Sequence, residues 1–252
     1  MIGLIRSEFL KLRSVLLPFV LLGVAGLLTA FVAALKASRA GGTGLMAIPG
    51  LDTAAGQTAL VTSTDFALLL ALVFGATVVT SEFRHRTATA TYLASPRRNR
   101  VLAAKAVAAG GFGLLFGLVC SVIATAIGAG FIAARGLDFA VSAATMAQYI
   151  GGATLASAIL AVAGVGLGSL IRDQILATIT AFAWCFVIEG HLAKFVTSVA
   201  PYLPFTAATS LGGMTVGGAT MLPFVWSTVL ALAVGAVLLV FGARSTVRRD
   251  IS

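Results

Sequence analysis

The sequence predicts an all-α membrane protein with six transmembrane helices, an N-terminal amphipathic interfacial helix, and a broken or re-entrant outer segment between spans five and six. Three observations carry that prediction. The 252 residues are 59% hydrophobic and only 10% charged, with a mean hydropathy of +1.06, whereas soluble chains carry about 25% charge. The apolar residues fall into uncharged runs long enough to cross a hydrocarbon layer of roughly 30 Å. The formal charge of +9 is concentrated between alternate runs, as the positive-inside bias requires. A single transmembrane domain covers 1–252.

Taken in order, residues 1–14 read "MIGLIRSEFLKLRS". Ile2, Ile5, Phe9, Leu12 and Leu16 recur every three or four residues, and Arg6, Glu8, Lys11 and Arg13 take the other positions. That pattern predicts a helix lying in the inner interface with its cations near anionic headgroups; its length and mixed charge do not fit a cleaved signal peptide. Span one follows at 15–35, with Pro18 in its first turn, where the missing N–H costs least. Span two covers 61–81, its outer end capped by the polar Thr62-Ser-Thr-Asp65 stretch.

Spans three and four, 104–134 and 139–171, each exceed one membrane thickness and so tilt or project. Both are rich in small residues, as in "GGFGLLFG" and "GVGLGS", which admit close helix contacts in lipid; these serve either bundle packing or a dimer seam. Arg172-Asp173 leaves room only for a very tight turn into span five at 174–193. Beyond it, "PYLPF" and glycines 212, 213, 217 and 218 do not suit a continuous lipid-facing helix. Residues 195–218 are therefore expected to form the broken outer segment, and Pro223 opens span six at 221–242.

With six spans and both ends inside, Arg6, Lys11, Arg13, Arg84, Arg86, Arg97, Arg98, Arg100, Lys105, Arg172, Arg244, Arg248 and Arg249 are cytoplasmic, and only Lys36, Arg39, Arg135 and Lys194 lie outside. Reversal would invert this asymmetry. The most charged stretch, "EFRHRTATATYLASPRRNRVLAAK", is then a cytoplasmic loop at 82–103 with Lys105 just beyond it, rather than a nucleic-acid patch. Ser95-Pro96 stops a short helix near 86–94, and the basic residues 97–105 restart at the lipid surface. The residues alone leave two readings open: a basic loop held by solvent and headgroups, or a docking element for a soluble partner.

The "KLRS" before span one, this loop, the "GLGSLIRD" ending of span four and the late proline-containing outer segment resemble permease subunits of ABC transporters of the ABC-2 type. In that family the first cytoplasmic loop often runs Glu, Gly-Thr, Leu, Pro followed by Arg, and a Lys entering span three. Glu82, Thr87, Leu93, Pro96, Arg100 and Lys105 match that outline, and Arg86 stands where glycine is usual. The resemblance implies a six-span transmembrane subunit of the cell membrane and makes the short helix near 86–94, which would present Thr87, Tyr92 and Leu93, a coupling helix. It implies an ABC ATP-binding subunit that holds ATP and Mg, and a second permease copy or homologous permease. It also implies export.

The chain itself is not expected to be an enzyme. It has no GxxxxGK[ST] phosphate loop, and Cys120 and Cys185 sit alone in apolar runs, so no cofactor or metal is expected. Glu189, His191 and Lys194 are the titratable group near an outer boundary. They mark a possible outer gate or interface, or simply the interfacial end of span five. An ion-coupled secondary transporter and a non-transporting membrane scaffold are the alternative functions. The high Ala and Gly content points to a bacterial source, and the absence of distinctive charge along the spans favours an apolar or amphipathic cargo.

Overall fold

The computed structural model describes residues 1–44, 46–94, 97–215 and 220–248, apart from the side chains at 90, 92, 94, 247 and 248. Helix α1 (Ile2–Ser14) leads through a bend into α2 (Leu17–Ser38); α3 (Ala54–Val61) and α4 (Asp65–Arg84) follow. After α5 (Ala88–Ala94) come two long helices, α6 (Arg98–Ala134) and α7 (Ala143–Ile171). Helix α8 (Gln174–Phe182) continues through a π-helical stretch, Ala183–Glu189, into α9 (Gly190–Phe195). A 3₁₀ turn at Ala200–Tyr202, α10 (Pro204–Leu211) and α11 (Phe224–Arg248) complete the order. The described residues contain no strand, only an isolated bridge between Ala40 and Ile48. Six helical segments are long and apolar enough to cross a membrane, which makes this a multi-pass, all-α membrane protein.

The helix bounds differ from the expected spans in three places. Span two begins at Asp65, not at 61, because Thr62–Thr64 interrupt the helix and Ala54–Val61 form a separate one, capped by Thr53, whose hydroxyl accepts from the Gly56 N–H at 3.1 Å. Helix α6 runs unbroken from Arg98, so the helix of span three extends back into the expected loop 82–103. Pro223 precedes α11 and its carbonyl accepts from the Ser227 N–H at 3.0 Å. The tight turn between spans four and five is present: Arg172 takes φ +61, and the Asp173 carboxylate caps α8 through the Leu176 N–H at 2.8 Å.

Helix α7 is the hub, packing on α4, α6 and α11. Its small residues serve the chain's own bundle rather than a seam between copies: a Cβ on Gly164 would land on the Leu72 carbonyl oxygen of α4. Gly113 and Gly117 of α6 likewise face α7. Without a hydrophobic force between helices in lipid, such backbone contact is a main source of their attraction. Helix α4 is buried almost throughout from Ala67 to Thr80 and forms the core, whereas most residues of α8, α9 and α11 are exposed or half-buried, leaving spans five and six at the periphery. An aromatic column joins the interfacial helix to this core. Phe112 of α6 lies 6.2 Å from Phe9 and 5.6 Å from Phe74 (ring centroids), and Phe74 is 5.6 Å from Phe116.

The apolar stripe of α1 is divided: Phe9 and Leu12 pack on the bundle, and the residues at its ends face outward. The buried residue of α1 is Glu8, while Ile2 is 84% and Leu16 74% exposed. Glu8 can be buried there because two ammoniums, Lys11 and Lys105, offset the cost of withdrawing its charge from water.

Candidate functional site

At one end of the bundle the chain gathers its charge. Two arginines fasten the end of α11 there: Arg98 Nη1 donates to the Thr246 carbonyl at 2.7 Å and Arg172 Nη2 to that of Ser245 at 2.9 Å. Cations suit the last carbonyls of a helix, which carry the negative end of its dipole. We call this the basic end.

Beside them lies a network of two carboxylates and two ammoniums. Lys105 Nζ is 2.9 Å from Glu8 Oε2 and 2.7 Å from Glu82 Oε1. Lys11 Nζ is 2.8 Å from Glu8 Oε1 and 3.3 Å from Glu82 Oε1. Lys105 and Glu8 are almost inaccessible, whereas Lys11 is half exposed. Burying a lone ion in apolar surroundings costs several kcal/mol; here opposite charges are matched one for one. Burial pushes the Glu8 carboxyl up, but Lys105 and Lys11 outweigh it and hold it below the usual range. Burial likewise draws Lys11 down, and Glu8 and Glu82 outweigh it to leave the ammonium above its usual value.

The network joins α1, α4 and α6, and the loop helix is tied to it. Thr91 Oγ1 donates to Glu82 Oε1 at 3.4 Å, and Ala88 packs with Val101 and Phe83. The turn before α5 is a Schellman closure of α4: the Thr87 N–H bonds the Glu82 carbonyl at 2.9 Å and the Arg86 N–H that of Phe83 at 3.2 Å. Its left-handed residue is Arg86, at φ +56.

Of the residues singled out in the loop, Glu82, Thr87 and Lys105 come together, and Lys105 is buried in the network rather than anchoring in headgroups. Leu93 is 78% exposed and Arg100 is exposed. Tyr92 lies in α5, but its side chain is outside the described residues, as is Pro96 altogether. Glu8 and Lys11 are functional candidates that the sequence reading passed over. For Glu8 the signal was positional, since it stands three residues after Ile5 and four before Leu12, at the border of the apolar stripe.

Glu189, His191 and Lys194 do not form a cluster. Glu189 is buried and accepts from Trp184 Nε1 at 2.6 Å, the Phe205 N–H at 3.0 Å, the Thr206 N–H at 2.9 Å and Thr206 Oγ1 at 3.2 Å. It therefore caps α10 from another helix, supplying the acceptor that Leu203 at the N-cap position lacks. The π-helical stretch sets Trp184 and Glu189, five residues apart, on one face. His191 Nδ1 instead meets the Val187 carbonyl at 2.6 Å, and Lys194 is exposed. Helix α10 packs on α7 and α11, joined to α11 by Ser210 and Ser227 at 3.0 Å; residues 216–218 of the expected outer segment lie outside the described residues. Among the described residues no three His, Cys, Asp or Glu side chains converge as a metal site.

No protein-family model matches the chain, and no curated protein is significantly similar to it.

Proposed function

We propose that this chain is the transmembrane permease subunit of an ATP-driven transporter of the ABC-2 type, an exporter of the cell membrane with both termini in the cytoplasm. ATP and Mg belong to a separate ATP-binding subunit, and a second permease copy or a homologous permease completes the transport path. The observation that carries this reading is the network around Lys105. It binds an exposed loop helix, through Glu82 and Thr91, to the interfacial helix and to spans two and three. A push on α5 from a soluble partner is thereby delivered to three membrane elements at once, through contacts that two states of the bundle make differently. Arg86 adds support: it holds the left-handed conformation that glycine adopts most readily, at the position where the family usually has glycine. The lopsided placement of Lys and Arg supports the orientation.

The test is affinity purification from the native membrane with identification of the co-purifying subunit, followed by reconstitution. The reading expects an ABC ATPase, stimulated ATP turnover and vectorial substrate movement. Transport driven by an ion gradient without ATP would replace it with a secondary transporter. Recovery of the ATPase without any substrate movement would leave a scaffold.

A further inference from the structure

A cavity of about 660 Å³ opens at the basic end between α1, the α1–α2 bend and the inner part of α4. Its size falls within the 300–1,000 Å³ of ordinary ligand sites. Its two halves differ in chemistry. The deep half is walled by Leu12, Leu17, Pro18, Phe74 and Val78, and the rim carries Lys11, Arg84 and His85.

From Arg84 back to Phe74 is ten residues of helix, about 15 Å at 1.5 Å per residue. That depth equals roughly half of the 30 Å hydrocarbon layer, the thickness of one leaflet. Water does not fill an apolar wall favourably, and a wholly polar solute would leave that wall uncovered. An amphiphile whose chain lies along α4 and whose head rests at the rim satisfies both halves.

The rim also sets the sign of the head. Glu8 and Glu82 line the cavity, but each is already held by two ammoniums. Arg84 donates to a neutral group, the Gln174 amide, at 3.2 Å, and among the described residues it has no carboxylate at ion-pair distance. Its guanidinium is left to match an anion, with the His85 ring beside it.

The geometry points to a binding site for an anionic phospholipid of the adjoining leaflet, its acyl chain against Phe74 and Val78 and its phosphate at Arg84 and His85. Lys11 lines the same cavity, and its 3.3 Å contact to Glu82 is the longest link of the network. A bound headgroup competes for that ammonium, so the lipid is coupled to the network. The site does not depend on the ATP-driven reading, because its test contains no nucleotide.

The test uses the full chain in nanodiscs of phosphatidylcholine doped with a phosphatidylglycerol bearing a chain diazirine, and in parallel with a phosphatidylcholine bearing the same diazirine. Adducts are mapped by mass spectrometry. The site predicts phosphatidylglycerol adducts concentrated at residues 12–18 and 74–78, several-fold above those of phosphatidylcholine. Val78→Trp, which fills the deep half, should lower them. Arg84→Gln with His85→Gln, both at exposed positions, should bring phosphatidylglycerol labelling down to the phosphatidylcholine level and leave the latter unchanged. Equal labelling by the two lipids, adducts spread evenly over the outer faces of α8 and α11, or no response to the double substitution would overturn it.

Discussion

Lys105 reaches Glu8 across 97 residues of chain, its ammonium 2.9 Å from the carboxylate with both side chains withdrawn from solvent. Removing this cation leaves two carboxylates, one of them buried, to share the single ammonium of Lys11. Lys105→Met should lower stability by about 3–5 kcal/mol, the usual cost of breaking a buried pair from one side, whereas Glu8→Gln with Lys105→Met should recover a large part of the loss. Thermal unfolding of the purified variants checks both, and additive effects would refute the coupling.

The same network fixes the response to pH. Glu8 has a folded pKa below its ordinary 4.5, so its contribution is fully present above that value and is lost as pH falls through the folded pKa. Lys11 is raised above 10.5, so its contribution is fully present below that value and is lost as pH rises through the folded pKa. Melting temperature against pH should show both limbs. Glu8→Gln should flatten the acid limb.

Arg86 holds a left-handed conformation at φ +56, which costs a residue with a Cβ about 1–2 kcal/mol. Arg86→Gly should therefore stabilise the protein by about 1 kcal/mol, and Arg86→Val should destabilise it. Melting temperatures of the two variants should move in opposite directions.

Glu189→Ala should cost about 1–3 kcal/mol for each buried donor left without an acceptor, with the Phe205 and Thr206 N–H groups foremost. Glu189→Gln keeps a side-chain acceptor and should cost less. Proteolytic sensitivity near residues 196–203 should rise in the alanine variant and stay near wild type in the glutamine variant.

Leu93 is 78% exposed, so a charge there leaves the bundle intact. Leu93→Asp should weaken association with the proposed ATP-binding subunit by more than tenfold, equivalent to more than about 1.4 kcal/mol, with membrane insertion unchanged. Pull-down at matched expression reads this, and undiminished association would remove α5 from the docking surface.

The spans were legible because an uncharged run of membrane length has few other structures available to it. The turn at Arg172-Asp173 was legible because a two-residue interruption admits only one kind of connection. Helix α3 was not, since Thr62–Thr64 look in sequence like a cap on the following span. Nor were the partners of Glu189, which lie 16 and 17 residues onward on a segment whose fold depends on that contact. Glu8 and Lys105 had to be brought together by tertiary packing, and a charged residue on an amphipathic helix reads as solvent-facing until the opposing charge is placed.

Helix α6 runs without interruption for 37 residues, about 55 Å at helical rise. Near one end it carries Lys105, and just past the other Arg135 donates to the Ala37 carbonyl of α2 at 2.8 Å. Span two, by contrast, is broken before Asp65, and span five carries the π-helical stretch. A single continuous helix thus joins the charged network at Lys105 to the Arg135 contact at the other end, beside two neighbours whose helical hydrogen bonding is interrupted.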